Sequence, residues 1–413
     1  MSAPPASKRT SSRVVFFVFI TVFLDLIGFG IVMPLMPFYV KTMGGDARTV
    51  GLLLSGFSLC QLLATPYLGR LSDRIGRRRV ILVSLAGNAL AMVIFAEATH
   101  LAILPLLFAS RLLAGATSGN LSACQAAIAD VTEGESRTKG MGMLGAGIGL
   151  GMMLGPLLGG ELSHFGPWVP PLGAAAMALA DLVGAFFLMP ETRRIATEPA
   201  PDPGVAPVAK PSLMQVLAQR PLMMVLLLCF LTFLAMSGLQ VALVFLVDSR
   251  FGWGEKEVGR LYGLMGLVAM IIQGGLIVPL SRRFGQINLV LLGIVTLGAG
   301  MVMMGLADHP WKFLVGLVLF GSGFGVTNPL LSVLASQYAG GESRGAVLGF
   351  AQSAGVLART VGPNLGGILV AQINPGAPFF AGAIAAGVAA SVVLALRRIP
   401  VASPAKVEPA ASH

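Results

Sequence analysis

The sequence predicts an all-α membrane protein, with twelve transmembrane helices arranged as two six-helix halves that repeat in parallel. Three observations predict it. Of 413 residues, 55% are hydrophobic and only 11% charged, whereas a soluble chain carries about 25% charged residues and could not cover its surface with so few. Apolar runs long enough to span a bilayer, about 20 residues for a hydrocarbon core about 30 Å thick, recur twelve times. Two motifs also recur at one shared offset: Gly134-Glu135-Ser136-Arg137 is followed at Gly155 by GPLLGG, and, 207 residues on, Gly341-Glu342-Ser343-Arg344 is followed at Gly362 by GPNLGG. Six spans separate the copies, so both have the same orientation, related by an axis along the membrane normal.

Apolar runs between charged or turn-rich breaks set the spans. The first, 14–40, follows Lys8, Arg9 and Arg13 and so imitates a signal peptide. It contains Asp25, has no small-residue cleavage site and is too long for such a peptide's apolar core. The rest of the first half is 49–69, 80–98, 102–129, 140–162 and 170–189. The hydrophilic segment 190–220, with the run PAPDPGVAPVAKP, reads as a linker. The second half is 221–247, 257–280, 288–307, 311–336, 346–371 and 377–396. The expected organisation is thus a tail 1–13, a half 14–189, the linker 190–220, a half 221–396 and a tail 397–413.

An even number of spans puts both termini on one side, and 20 of the 28 Lys and Arg residues fall there. Six lie opposite, and Arg111 and Arg359 lie inside spans. Positive charge stays cytoplasmic during insertion, so both termini are expected in the cytoplasm and the chain in the cell inner membrane. Trp168, Trp253 and Trp311 all fall at the other face, as an interfacial belt would place them. Topology therefore accounts for the net charge of +10 without nucleic acid as a partner. Cys60, Cys124 and Cys229 each sit in an apolar stretch and imply no disulfide framework. Of the histidines, His100, His164 and His309 fall in outer loops and His413 ends the chain.

The loop after the second span reads Gly69-Arg70-Leu71-Ser72-Asp73-Arg74-Ile75-Gly76-Arg77-Arg78-Arg79. Its cations suit an anionic inner membrane surface, and Asp73 can hold a charge-assisted bond among them. Here the chain resembles the major facilitator superfamily, whose loop between helices two and three carries G-x-x-x-D-R-x-G-R-R. The resemblance implies a cytoplasmic gate, formed by Gly69, Asp73, Arg74, Gly76, Arg77 and Arg78, that locks the halves while the protein is open outward. The second-half copy, Pro279 to Gln286, has no acid, so such a lock is one-sided.

Glycines 147, 151, 155 and 159 at spacing four leave one face of the fifth span bare, and Pro156 bends it. GMMLGPLLGG from Gly151 to Gly160 resembles the antiporter motif of the superfamily's drug/proton exchangers. Gly259, Gly263 and Gly266 lie at matching depth in the eighth span. These faces are expected to meet as a periplasmic gate of Gly151, Gly155, Pro156, Gly159, Gly160, Gly259 and Gly263.

The run Leu24 to Pro37 is similar to the first-helix signature of twelve-span drug exporters, and Arg111 with Gly115 matches part of their fourth-helix motif. Depth can be read independently: Asp25 lies about 17 Å into its helix at about 1.5 Å per residue, and Arg111 about 16 Å from the same face. An ion alone at the bilayer centre costs at least ~2.5–3.5 kcal/mol, so the two are expected side by side, with Asp25 switching between a desolvated and an arginine-paired state to carry protons. Asp181, also near mid-depth, is a weaker candidate because the sixth span of this fold lies toward the outside. Buried amides of both halves, Gln61, Asn120, Gln240, Gln273, Asn328 and Gln352, are expected to line a substrate cavity with Phe29 and Met33.

No nucleotide-binding loop G-x-x-x-x-G-K-[ST] occurs, nor HExxH, CxxC or GxSxG. The expected protein is not an enzyme and needs no cofactor or metal; a proton gradient supplies the energy. Its partners are a small-molecule substrate and the bilayer, and it is expected to work as a monomer. Arg250, Phe251-Gly252-Trp253 and Pro190-Glu191-Thr192 resemble the tetracycline-exporter branch. Tetracycline pumps carry further acids in helices three and nine, where this chain has Ala91 and Thr296. The reading is export of small amphipathic compounds or drugs in exchange for protons by alternating access. Uptake symport or uniport of a small metabolite is the alternative, and a non-transporting lipid or receptor role a third.

Overall fold

The computed structural model describes residues 8–192, 213–339 and 344–399. The motif residues Gly341, Glu342 and Ser343, most of the linker and the outer parts of both tails lie outside the described residues. The first crossing is α1 (Lys8–Val32) and α2 (Met36–Thr42), joined by a 3-10 turn at Met33–Leu35. There Pro34 and Pro37 remove backbone donors. Next come α3 (Ala47–Ile75), begun by a capping box of Asp46 and Thr49, α4 (Arg77–Leu101), α5 (Leu104–Ala116), α6 (Asn120–Val131), α7 (Gly134–Leu162) and α8 (Val169–Leu188). A short α9 (Leu213–Ala218) leads into α10 (Arg220–Phe251). The rest are α11 (Glu255–Ile271), a π turn at Ile272–Leu276, α12 (Ile277–Phe284), α13 (Gln286–Leu306), α14 (Pro310–Tyr338), α15 (Arg344–Gln372) and α16 (Ala377–Leu396).

Among the described residues, eleven helical stretches are long and apolar enough to cross a membrane. The twelfth crossing corrects the expectation of a continuous helix over 102–129. It is broken at Thr117–Gly119 between α5 and α6. The Thr117 hydroxyl donates to the Leu113 carbonyl at 2.9 Å and the Ser118 hydroxyl to that of Gly115 at 2.7 Å. Such local bonds compete with the helix ladder, and irregular backbone is tolerated at membrane depth where it lines a cavity. Side chains such as Phe187, Leu188, Leu306 and Ile384 are exposed on the outside, where a bilayer covers them.

The packing repeats with the sequence. In the first half α1 packs on α7 and α4 on α8; in the second, α10 packs on α15 and α13 on α16. Among the described residues, two broad seams join the halves, α3 with α15 and α7 with α11. Both are tight at the face carrying the tryptophans, here the far face. There Val241 and Phe245 of α10 pack into the first half's cluster around Ile31, Leu35, Met36 and Tyr39. Toward the terminal face the same helices part: a Cβ added at Gly142, Gly145, Gly149, Gly345 or Gly349 would meet nothing within 4 Å.

Ion pairs clasp the far face across the halves. Lys41 Nζ lies 2.7 Å from Asp248 Oδ2, and Glu161 reaches Arg260 at 3.0 Å and Lys256 at 3.5 Å, with Lys256 also 3.0 Å from His164 Nε2. The pairs are largely solvated, so Lys41–Asp248 is worth about 0.2–1 kcal/mol. Asp248→Asn is therefore expected to speed far-face labelling of a cysteine placed at Met33 by roughly five-fold at most. Added salt should mimic the substitution in the parent, and a rate insensitive to both would show that the clasp bears no load.

Candidate functional site: a cavity between the halves, closed at one face

A cavity of about 390 Å³ lies where the halves meet. Of the expected substrate residues it is lined by Phe29, Met33, Gln61, Asn120, Gln240 and Asn328, together with Asp25, Arg111 and Arg359. Gln273, in the π turn, and Gln352, on α15, are exposed and do not line it. Residues the sequence reading passed over also line it: Phe57, Asn88, Thr117, Ser118, Phe233 and Phe324. Asn88 was findable as the one amide in the third span, and Ser/Thr before Gly119 signalled the helix break that brings Thr117 and Ser118 to the wall.

The expected pairing of Asp25 with Arg111 is not what the structure holds. Asp25 Oδ1 accepts from Asn88 Nδ2 at 2.7 Å, and its Oδ2 faces Asn120 Nδ2 at 3.4 Å. Arg111, 3% exposed, instead bonds Ser110 Oγ at 3.1 Å, contacts Met92 Sδ at 3.6 Å and stacks over Phe95 with its Cζ 4.6 Å from the ring centre. Level depth did not mean contact, because Arg111 is turned onto the Phe95 ring and Asp25 onto two amides. Arg359 lies over Phe233 at 5.1 Å.

Asp181 also departs from expectation, pointing inward rather than lying on the periphery. It is 2% exposed, and α8 packs on both α4 and α1. Its Oδ2 has no hydrogen-bond partner, and it is an electrostatic neighbour of both Asp25 and Cys124. Cys124 Sγ lies 3.2 Å from Asn120 Oδ1. Thus Asn88, Asp25, Asn120 and Cys124 form one bonded chain leading from the cavity toward Asp181.

At the terminal face Arg77 and Arg78 of the cationic loop bond within the first half. Arg77 bonds Asp73, reaches Asp130 through Nε at 3.0 Å, and its backbone N–H donates to Glu191 at 2.9 Å. Arg78 donates to the Phe186 carbonyl at 2.6 Å. Gly76, at φ +107°, takes a conformation that side chains rarely adopt, with Glu191 against the space a Cβ would fill. Gly69 and Arg74 lie on the same helix end, where a Cβ on Gly69 would meet nothing within 4 Å.

The far-face gate is corrected in its contacts. Gly151, Gly155 and Gly159 do not meet α11; they meet α1 within their own half, where a Cβ on Gly155 would sit 2.7 Å from Gly30 Cα and one on Gly159 2.3 Å from the Ile31 carbonyl oxygen. The stripe at spacing four faces one neighbour only. The adjoining face, Met153, Pro156, Leu157 and Gly160, meets the other half: a Cβ on Gly259 would lie 2.6 Å from the Pro156 carbonyl oxygen, and one on Gly263 2.4 Å from Leu157. The second seam copies the first. Added to Gly51, a Cβ would lie 2.5 Å from the Pro363 carbonyl oxygen, and Gly367 touches the Ala47 backbone as Gly160 touches that of Gly259. Pro363 and Gly367 stand 207 residues after Pro156 and Gly160, so the repeat could have located this second seam.

Sequence comparison agrees with this geometry. The Major Facilitator Superfamily matches residues 18–363 and again 276–412. The chain is 30% identical over 347 residues to tetracycline resistance protein, class C, of Escherichia coli, covering 83% of this chain and 86% of that protein. It is 28% identical over 371 residues to multidrug resistance protein 2 of Bacillus subtilis (strain 168), covering 87% and 90%. The crystal structure of the human organic anion transporter MFSD10 (TETRAN) superposes with a TM-score of 0.69 at 26% identity, over 95% of this chain and 100% of that one. Twelve crossings in two repeated halves, a cavity between them and these matches together establish that the chain belongs to the Major Facilitator Superfamily, as a multi-pass membrane transporter and not an enzyme.

Proposed function

We propose that this protein exports small amphipathic compounds in exchange for protons, by rocking its two halves around the central cavity. The observation that carries the reading is Asp25, the one carboxylate lining a cavity that two interlocked glycine seams close at the far face. Two kinds of drug-resistance protein among its relatives support the direction. The charge asymmetry of the loops supports cytoplasmic termini in the cell inner membrane; on that assignment the far face is periplasmic and the conformation here opens inward. A single chain encloses the cavity, which supports a monomer as the working unit.

Mechanistically, an ionised Asp25 accepts two amide N–H bonds, whereas a protonated one carries an O–H donor in place of one lone pair and holds the amides less strongly. Protonation thus changes the bonds between α1, α4 and α6, three of the elements that wall the cavity. With neither arginine neutralising it, Asp25 can gain and lose a proton without first breaking an ion pair. Ala91 and Thr296, at the positions where tetracycline pumps carry acids, do not line the cavity, so tetracycline is not named as the substrate.

Proteoliposomes with an imposed pH gradient test the reading. Amphipathic drugs are expected to move against the proton flow, with a pH change inside that follows drug addition. Movement of drug and proton in the same direction would establish symport instead, and drug flux with no proton flux would establish uniport.

A further inference from the structure

We propose that the cavity selects amphipathic organic anions, with Arg359 as the residue that receives the anionic group. This rests on reading the cavity as the transport site. Two guanidinium groups, Arg111 and Arg359, face it with one carboxylate, Asp25. Arginine stays charged throughout the physiological range. The cavity is therefore cationic whether Asp25 is ionised or protonated.

Among the described residues, neither cation has an acid to satisfy it. Arg111 makes its contacts to Ser110, Met92 and the Phe95 ring, and its buried Nε has no hydrogen-bond partner. Among the described residues, Arg359 meets the face of Phe233, at 5.1 Å, and no hydrogen-bond acceptor. The acid that could have paired with either is held by Asn88 and Asn120. Uncompensated cations at mid-membrane depth are costly, and an entering carboxylate or sulfonate supplies what is missing, with bidentate geometry available at a guanidinium. Arg359 is the half-buried one of the pair and comes from the second half, so the anion docks there while Arg111 adds attraction from the first half. Phe29 and Phe57, with ring centres 5.7 Å apart, offer the apolar part a surface opposite. A cationic drug would find the Phe233 face taken and two like charges beside it.

The test uses three probes of one shape, naphthoate, naphthamide and naphthylmethylamine, binding to the full-length protein in lipid nanodiscs at neutral pH. The wild type is expected to bind naphthoate about 10-fold or more tighter than the amide, with the amine weakest. Arg359→Gln should bring naphthoate down to the level of the amide while the amide itself changes by no more than about two-fold; Arg359→Lys should keep part of the preference. A wild type that ranks the amine first, or the three equally, or binds none, overturns the proposal, as does a Gln variant that still prefers naphthoate. If the Gln variant loses the amide too, the wild-type ranking and the Lys variant decide. No gradient enters this assay, so anion preference without proton exchange in proteoliposomes would defeat the exchange reading alone. Proton-driven export of amines would defeat only the anion assignment.

Discussion

Replacing Asp25 by asparagine is expected to lower gradient-driven transport on the order of 100-fold, the low end for removing a positioned proton-transfer group, while substrate binding stays within a few-fold of the parent. The substitution is close to isosteric. An asparagine there can still accept from Asn88 and, with one amide turned, donate to Asn120, so the bonds that join α1 to α4 and α6 survive. What it cannot do is titrate. The measurement pairs accumulation under an imposed pH gradient, which should collapse, with substrate exchange at equal pH on both sides, which should persist. Asp181→Asn is the necessary comparison. Asp181 is buried beyond the Asn120–Cys124 step and does not line the cavity, so its loss should slow coupling less than loss of Asp25. If the Asp181 variant is dead and the Asp25 variant active, the proton site is one step deeper than the cavity wall.

Twelve crossings, their order and the parallel repeat were legible because each rests on a local property: run length, charge count and a repeated string. The cavity was largely legible too, since lone polar residues in apolar helices have few places to go other than inward; six of the eight residues expected for substrate line it. Gln273 and Gln352 do not. Depth along an axis says nothing of azimuth, and a π turn at Ile272–Leu276 rotates the first of them out of helical register. The same missing azimuth explains Arg111, level with Asp25 yet turned onto Phe95. It explains Asp181 in the opposite sense, since placing a helix at the rim of a bundle does not say which of its faces looks inward. It also explains the glycine stripe: spacing four identifies a bare face, and only the assembled bundle shows that α1 covers it and the neighbouring face meets α11.

That distinction yields the second large effect. Gly159 and Gly259 would suffer clashes of the same size on gaining a Cβ, 2.3 Å to the Ile31 carbonyl oxygen and 2.6 Å to that of Pro156. Both obstacles are backbone, which cannot swing aside. Yet Gly159 sits inside one half and Gly259 between the two, so the outcomes should differ in kind. Overpacking costs typically about 1–3 kcal/mol. In Gly159→Ala that cost falls on α1 against α7 and should appear as a lower unfolding temperature. In Gly259→Ala it falls only on the state closed at the far face. The balance should then shift roughly 10- to 100-fold toward opening there, with each half as stable as before. Gly51→Ala, facing the Pro363 carbonyl oxygen at 2.5 Å, should do the same through the other seam, and Gly259→Leu should hold the seam apart and abolish uphill transport. Far-face labelling of a cysteine at Met33 reads the shift, and thermal unfolding of the same samples reads the cost to the fold. Faster labelling in Gly159→Ala than in Gly259→Ala would mean that the halves do not rock as rigid bodies about these two seams.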